Sequence, residues 1–471
     1  MSLKIKNLKL IVHYLFVVLL GTNLFSQSDK NADEIFLLLN DEIIEKVENS
    51  EIVVGSPVKH PKNPLFIEDK PWEKRFDNLY GNIIYDRNEK IYKCWYSPFI
   101  VDYSAKGKSH DEMTMPYNDG HLKREMGICY AYSKDGINWI KPNLGLVEYD
   151  GTNENNIIWR GPHGAGIYKD SFEKDPKRKY KMIFQGLSFS TSMNGINWEK
   201  AKDIQGVDVA GDTHNNAFWA PTIQKYVGIT RSWGSKQQGR LRQVTRIESD
   251  DFENWSKEQV VLEGSGKNDQ PYAMPVFYYG GVYLGLLAVY SSGEDRTWTE
   301  LTWSKDTKRW NRISPGTPLI PNSEKKFDYD YGCVYACATP VFLNDEIRIY
   351  YGASDYLHFG WRNGSLALAT LRIDGFAGYI QKSISSPGRI KTKILPYTGQ
   401  DILINADVND DGYINVIVLD DKGNEISKAN TIKHTMNNGK LKFNKTIKSK
   451  FVQLKFNINN SKLYSFRFHS G

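Results

Sequence analysis

The sequence predicts an all-β fold built from repeated antiparallel units. Aromatic residues make up 13% of the 471 residues and 38 residues are glycine, a composition typical of short strands joined by tight turns. In addition, a Ser followed six positions later by a Trp recurs four times, with the copies starting 59, 57 and 55 residues apart. The four copies are Ser133–Trp139, Ser192–Trp198, Ser249–Trp255 and Ser304–Trp310.

The repeated segment has the chemistry of a β-hairpin. Its first two copies carry Asp-Gly and Asn-Gly at the turn, and the Trp covers the edge of the sheet to which the chain returns. Five pairs of predicted strands run in the same phase. Because radial repetition protects sheet edges, they predict a five-bladed β-propeller, with an array of β-sandwiches as the alternative. The pairs are Gly81–Asp86 with Lys90–Tyr96, Gly166–Asp170 with Lys179–Phe184, Ala217–Thr222 with Lys225–Ile229, Met274–Tyr279 with Gly281–Leu286, and Thr339–Leu343 with Glu346–Tyr351.

Residues 1–27 have the pattern of a secretory signal peptide. Lys4, Lys6 and Lys9 precede the apolar run Leu10–Gly21, and a short polar stretch follows. The run is too short to span a bilayer, so we expect export to the periplasm or beyond without a membrane anchor. A cytosolic protein with an apolar N-terminal helix is the alternative.

The remainder divides into two predicted domains. The propeller occupies residues 28–382, with Leu366–Ile373 as its closing strand, and a small C-terminal β-sandwich occupies residues 383–471. Within the sandwich, Asp407–Asn415 matches the first half of a calcium loop. Val418 stands where such a loop needs a bidentate Glu, which favours a hairpin turn.

Charge and cysteine content exclude several classes of function. Removal of the three signal-peptide lysines would lower the formal net charge from +6 to +3, which is too weak for a nucleic-acid-binding surface. The four cysteines form neither a disulfide framework nor a zinc pattern, so we expect them to be buried as small hydrophobic residues. No metal or other cofactor is indicated.

The repeated Ser-x-Asp-Gly-x-x-Trp hairpins and the C-terminal sandwich together resemble the propeller glycoside hydrolases of families 32, 43 and 68. The chain is also similar to uncharacterised exported bacterial proteins of the family 32 type. The resemblance implies an axial pocket, formed by the first strand of each blade, that holds a terminal sugar. It also implies three carboxylates, one on each of the first three blades, because an oxocarbenium-like transition state needs an acid and a carboxylate on the opposite face.

Four residues stand where the resemblance implies catalytic groups. Asp77 precedes the first inner strand, although the family motif Asn-Asp-Pro-Asn-Gly is not reproduced there. His163 takes the place of an acid on the second blade. Asp212 and His214 lie before the inner strand of the third blade. Each can also be a structural turn residue.

The expected cleft is richer in His and Tyr than in carboxylates. His and Tyr serve as base and acid when a proton is removed next to a uronate carboxylate, and a cation then stabilises the enolate. We expect Arg231 to supply that charge, with Arg240 or Arg242 as further candidates. Tyr272 and His358 are the other predicted substrate-binding residues.

Three functions follow as hypotheses. The first is an exported glycoside hydrolase that degrades acidic oligosaccharides, uronate- or sulfate-bearing as in algal polysaccharides, from the chain end. The second is a lyase or dehydratase that forms an unsaturated uronic acid at the non-reducing end by elimination. The third is a propeller that binds sugars without catalysis, because the fold alone does not define an activity.

Overall fold

The computed structural model describes residues 34–39, 42–76, 78–103, 124–237 and 239–470. This part of the chain is all-β, as predicted: it contains 35 strands, one short 3₁₀ turn at Pro176–Arg178 and no α-helix. Accordingly, none of its helices is long and apolar enough to cross a membrane. The predicted signal peptide and Asp77 lie outside the described residues.

Residues 82–372 form five successive antiparallel strand groups, which we call the first to fifth meanders. The fourth and fifth are joined into one sheet by a single parallel pair. The first contains Asn82–Asp86, Ile91–Tyr96, Phe99–Asp102, Arg124–Ser133, Trp139–Ile140 and Ile157–Arg160; the second Gly166–Lys169, Tyr180–Phe184, Ser188–Ser192 and Lys202–Asp203; the third Asn216–Ala220, Lys225–Trp233, Arg242–Ser249 and Gln259–Glu263; the fourth Gln270–Ala273, Val276–Tyr279, Val282–Ser291, Arg296–Ser304 and Asn311–Arg312; the fifth Cys333–Ala336, Val341–Phe342, Glu346–Ser354 and Gly364–Arg372.

Hydrogen bonds and backbone pairing join the meanders in a closed cycle. Each meander is bonded to the next, and the fifth is bonded to the first. The strands that begin the first three meanders are therefore held side by side, together with the turns that precede them. The links are Asn82 Nδ2 to Ala165 O (2.8 Å), Asn215 N to Gly164 O (2.9 Å), Val276 N to Asn216 Oδ1 (2.9 Å), the Thr297–Cys333 backbone pair, and Ala338 N to Gly81 O (3.0 Å).

The four Ser…Trp hairpins share one turn geometry. In the first, the Ser133 hydroxyl accepts a hydrogen bond from the Gly136 amide (2.9 Å), and Asp135 accepts from the next two amides. The residue three positions after the Ser has a positive φ in all four copies. Glycine adopts this conformation without strain, which explains the Asp-Gly and Asn-Gly sequences of the first two. These residues are Gly136 (75°), Gly195 (76°), Phe252 (65°) and Thr307 (63°).

Strands from the N-terminal part of the chain complete the fifth meander. Val58–Lys59 and Phe66–Ile67 pair with Gly364–Arg372, the strand that contains most of the predicted closing strand Leu366–Ile373. The Lys59 ammonium also lies 2.6 Å from the buried Asp330 carboxylate. The two ends of the cycle are therefore joined by residues distant in sequence.

The C-terminal sheet is built around two 19-residue strands, Asp401–Leu419 and Phe451–His469. The predicted hairpin turn near Asp407 is wrong: the register shifts between Val408 and Tyr413, and the strand continues. The other strands that pair in this region are Glu34–Leu37, Ile44–Glu48, Ser50–Val54, Ala377–Gln381, Gly388–Thr392, Leu395–Pro396, Glu425–Lys428 and Met436–Lys440.

Three of these strands come from residues 34–54, which the sequence assigned to the propeller. Glu34–Leu37 pairs with the last strand of the chain, Phe451–His469. Side chains alternate along this segment: Phe36 and Leu38 enter the core of the C-terminal sheet, whereas Leu37 and Leu39 enter the core of the fourth and fifth meanders. The predicted boundary at residue 382 stays a prediction. All four cysteines are free and buried, as expected.

Candidate functional site

Two glycine-containing turns bring the second and third meanders together. His163 lies between Gly161 and Gly164, which have φ values of 98° and 61°. A Cβ atom on Gly164 would lie only 1.8 Å from the carbonyl oxygen of Thr213, so this close approach requires glycine. Asn215 fixes the second turn by donating to the carbonyls of Gly164 (3.0 Å) and of its own turn.

A chain of polar contacts runs from one turn to the other. His163 Nε2 lies 3.5 Å from Asp212 Oδ1, and Arg231 Nη2 donates to Asp212 Oδ2 at 2.5 Å. The Asp212 side chain is 44% exposed and that of His163 is 14% exposed, whereas Arg231 is buried. Burial acts to raise the pKa of Asp212, but the hydrogen bond from His163 and the charge of Arg231 outweigh it, so the pKa lies below its ordinary value.

Tyr80 occupies the centre of a group of buried rings. Leu79 and Tyr80 both have left-handed backbones, with φ values of 58° and 45°, an uncommon and strained conformation for residues with side chains. The Tyr80 ring stacks on His214 with 5.2 Å between centroids, and it lies 5.6 Å from His163. Tyr335 of the fifth meander contacts it from another side at 5.9 Å.

His214 is buried, unlike the partly exposed side chains of Asp212 and His163. Its ring is 1% exposed, and its Nε2 lies 3.2 Å from Asn82 Oδ1. Burial lowers the pKa of His214 to about 3, and the charge of His163 acts in the same direction. The imidazole is therefore neutral near pH 7.

A second chain of contacts surrounds Tyr272 of the fourth meander. The Tyr272 hydroxyl lies 2.9 Å from His358 Nε2 and accepts from Asn78 Nδ2 at 3.3 Å. Asp295 holds the His358 segment: its backbone carbonyl accepts from the His358 amide at 2.9 Å, and its carboxylate accepts from the Phe359 amide at 3.0 Å. Tyr272 and His358 are only 7% and 8% exposed.

Two arginines link the contacts around Asp212 to those around Tyr272. Arg231 and Trp233 lie on the same face of one strand, and Trp233 pairs directly with Arg242 on the neighbouring strand. Both guanidinium carbons lie 4.9 Å from the centre of the Tyr272 ring and 5.0 Å from that of Trp233. Trp233 is 42% exposed and Phe359 is 50% exposed, so aromatic surface is available beside the cluster.

The structure therefore brings most of the predicted site residues into one cluster. Its members among them are His163, Asp212, His214, Arg231, Tyr272 and His358. Asp77 is not described, although the adjacent Asn78 belongs to the cluster. Their catalytic and binding roles stay predictions.

Sequence reasoning missed several members of the cluster. Asn78 and Tyr80 lie in the segment already singled out for Asp77, so that segment itself was a usable signal. Arg362, which donates to Asn78 Oδ1 at 2.9 Å, and Asp295 stand in loops that carry no recognisable pattern. Within the described ranges, no group of three or more His, Cys, Asp and Glu side chains is arranged to hold a metal ion.

No protein-family model matches the chain, and no curated protein matches it by sequence. Three solved structures illustrate what the fold resembles. An N-acetylgalactosamine deacetylase from F. plautii is 12% identical, with a TM-score of 0.41 over 74% of this chain and 95% of that chain. A β-1,2-mannobiose phosphorylase from Listeria innocua is 13% identical, with a TM-score of 0.45 over 67% of this chain and 97% of that chain.

The third is a glycoside hydrolase family 43 arabinoxylan arabinofuranohydrolase from Bacillus subtilis. It is 11% identical, with a TM-score of 0.40 over 88% of this chain and 99% of that chain. The structural neighbours thus include glycoside hydrolases, the group that the sequence resembles.

Proposed function

We propose that the chain is an exported carbohydrate-active enzyme that acts on the chain end of acidic oligosaccharides. In this proposal the five meanders are the blades of a five-bladed β-propeller, and the C-terminal sheet forms a β-sandwich. The closed cycle of bonds between meanders supports a ring, because each meander is bonded to the next and the fifth is bonded back to the first. The polar cluster then lies where the turns before the inner strands converge.

Elimination next to a uronate carboxylate is the reaction that the described side chains fit best. The main support for elimination is the 2.9 Å contact between the Tyr272 hydroxyl and His358 Nε2, which lies beside two arginines. A phenol hydrogen-bonded to an imidazole can pass its proton to that ring and act as a base towards a C–H group, and guanidinium groups stabilise the enolate that forms. Asp295 holds the segment that carries the imidazole.

The proposed reaction proceeds on a terminal uronate. The Tyr272 hydroxyl gives its proton to His358 Nε2 and takes the proton from C5 of the sugar. The C5–H electrons form the C4–C5 double bond, and the C4–O bond breaks. The leaving oxygen takes a proton from His163, which Asp212 holds at 3.5 Å, and departs as water or as an alcohol.

Hydrolysis of the glycosidic bond is the second candidate. Asp212, the exposed carboxylate of the cluster, favours hydrolysis, because a glycosidase needs a carboxylate side chain of its own next to the reacting sugar. A second carboxyl group about 5–10 Å away would also be needed. Asp295, the other described carboxylate of the cluster, already accepts from Phe359 N and the Tyr290 hydroxyl, so Asp77 would have to serve.

One assay separates these reactions. Uronate-containing oligosaccharides incubated with the protein should develop the ultraviolet absorbance of a conjugated alkene acid if elimination occurs. Tyr272→Phe removes a single oxygen, and we expect it to reduce this activity by about 10²-fold or more. New reducing ends without the absorbance would instead indicate hydrolysis. Binding without either product would indicate a sugar-binding propeller.

Tyr278→Phe is the matched control. Tyr278 lies on a neighbouring strand of the same meander and is 38% exposed, away from the cluster. We expect this variant to retain full activity. Export is tested separately, by fractionating cells that express the full chain and finding whether residues 1–27 are removed.

A further inference from the structure

Two arginines of the cluster are buried with unused hydrogen-bonding groups. Arg231 is 2% exposed and Arg242 is 9% exposed. In the described part of the chain, Arg231 Nε and Nη1 and Arg242 Nε have no hydrogen-bond partner. Such groups are rare in folded proteins, because each unpaired donor pays its full desolvation cost.

The charges around these guanidinium groups do not balance. Asp212 pairs with Arg231, and Gln270 Oε1, a neutral acceptor, receives the bond from Arg242 Nη1 at 2.8 Å. The Tyr272 and Trp233 rings contribute only cation–π attraction. Among the described residues, Arg242 has no carboxylate partner, so one positive charge is left over there at a buried position, where an isolated ion is costly.

We infer that Arg231 and Arg242 form a subsite for one carboxylate of the substrate, namely that of a terminal hexuronate. A singly charged planar anion matches both the spare charge and the flat guanidinium forks, which bind carboxylates in a bidentate manner. Trp233, partly exposed and in contact with both forks, provides the face on which the sugar ring rests. This inference rests on the proposed function and names its substrate class.

The position of the subsite suits the proposed reaction. Both guanidinium groups lie beside the ring of Tyr272, the proposed base. A carboxylate held between them places the carbon next to it close to the phenol. The same charges that bind the substrate then stabilise the enolate, so binding and rate depend on the same residues.

The test measures binding of monosaccharides to the full-length protein by calorimetry and by tryptophan fluorescence. The probes are D-glucuronate, D-glucose and D-glucose 6-sulfate. We expect glucuronate to bind about 10-fold or more tightly than glucose, because hydrogen bonds to charged groups are strong. Arg242→Gln should remove that preference, and Arg242→Lys should restore it only in part, because Lys lacks the fork.

Arg246→Gln is the matched control. Arg246 lies four residues further along the same strand, is 3% exposed, and donates to Thr307 Oγ1 (2.8 Å) and to the Glu248 carboxylate (2.6 Å). We expect this variant to bind glucuronate as the wild type does. If Arg242→Gln does not fold, Trp233→Leu replaces it, since Trp233 is partly exposed, and glucuronate affinity should fall about 10-fold with the loss of the stacking face.

Three outcomes would overturn the inference: equal affinity for glucuronate and glucose, unchanged binding in the folded Arg242→Gln variant, or preference for the sulfate. Failure of the proposed function looks different. Tight glucuronate binding without turnover of any oligosaccharide leaves the subsite intact and removes the enzyme. Turnover of neutral oligosaccharides without a uronate preference would show that the protein is an enzyme but that Arg231 and Arg242 do not form a carboxylate subsite.

Discussion

At the scale of single residues, the charge on Asp212 connects the two halves of the cluster. It faces His163 on one side and Arg231 on the other, and it is the most exposed of the three. Arg231 also contacts Tyr272, so a change at Asp212 should alter the electrostatic environment of the proposed base as well as that of His163. The cluster should therefore respond as a unit to substitution.

Asp212→Asn keeps the size of the side chain and removes its charge. We expect turnover to fall by about 10²-fold, because His163 loses its charged partner and Arg231 keeps an uncompensated charge. Steady-state kinetics on the preferred oligosaccharide would measure it. Asp203→Asn, which alters a carboxylate bonded to the Ser188 hydroxyl, is the control and should be neutral. Unchanged turnover in folded Asp212→Asn would remove Asp212 from the mechanism.

His214 should make stability depend on pH. Its folded-state pKa of about 3 lies below the pKa of about 6.5 that an unperturbed histidine has, so between these values the unfolded chain binds more protons than the folded one. Stability therefore falls as pH drops from about 6.5 towards 3, by up to about 1.4 kcal/mol per pH unit from this group. Urea unfolding at several pH values should show a flatter dependence in His214→Gln. Parallel curves for the two proteins would contradict the assignment.

The sequence predicted the site unevenly, for physical reasons. His163 and Asp212 stand in glycine-containing turns before predicted strands, so local chemistry was enough to select them. Tyr80 reaches the centre only because Leu79 and Tyr80 adopt left-handed backbones, held in part by the bond from Ser97 N to Leu79 O (2.9 Å). No local pattern indicates such a conformation in residues with side chains.

At the scale of elements, the hairpins do more than turn the chain. The Gly195 carbonyl accepts from the indole nitrogens of Trp198 in its own meander (3.0 Å) and of Trp95 in the preceding one (2.6 Å). In the same way, the Gly136 carbonyl of the first meander accepts from Tyr350 of the fifth at 2.9 Å. Each hairpin thus fastens its meander to the one before it.

Gly195→Ala should be markedly destabilising. Its φ is 76°, and a Cβ atom there would lie 2.5 Å from Cζ2 of the Trp95 ring. Gly206 is the matched control, because its φ is 77° and a Cβ atom would meet nothing within 4 Å. We expect Gly206→Ala to cost about 1 kcal/mol from backbone strain, and Gly195→Ala about 1–3 kcal/mol more from the clash. Equal losses in urea unfolding would show that the two meanders are not tightly joined there.

Element prediction succeeded where the pattern was local and failed where pairing was distant. The Ser…Trp hairpins carry their own turn signals, and the structure has all four. The sequence predicts a hairpin turn within Asp407–Asn415, but these polar residues mark a change of register inside one 19-residue strand. Strands 34–54 pair with partners more than 300 residues away, which no local pattern reveals.

At the scale of the whole molecule, Asp374 joins the meanders to the C-terminal sheet. This carboxylate is fully buried and accepts from Tyr279 of the fourth meander. From the C-terminal sheet it accepts from Asn405 Nδ2 (2.7 Å) and Arg467 Nη2 (2.8 Å). Together with the shared strand 34–37, this network predicts that both parts unfold in one transition.

Asn405→Ala tests this coupling. All 12 tryptophans lie between residues 72 and 361, and Trp72, the one that precedes the meanders, donates to Asn156, so their fluorescence does not report on the C-terminal sheet. We expect the substitution to cost about 1–3 kcal/mol, because it leaves buried acceptors unpaired, and to shift the fluorescence and far-UV circular dichroism midpoints together. Asn409→Ala, on the exposed part of the same strand, should shift neither. Separate midpoints would show two independent domains.

The pairing of Glu34–Leu37 with Phe451–His469 also sets an order of events during synthesis. Glu34–Leu37 is translated more than 400 residues before Phe451–His469 and finds this hydrogen-bonding partner only when that strand has left the ribosome. Until then Phe36 and Leu38, which enter the core of the C-terminal sheet, have no permanent cover, and a chaperone that holds nascent chains open could bind them. A circularly permuted chain that places these two strands next to each other should therefore fold faster and need less assistance.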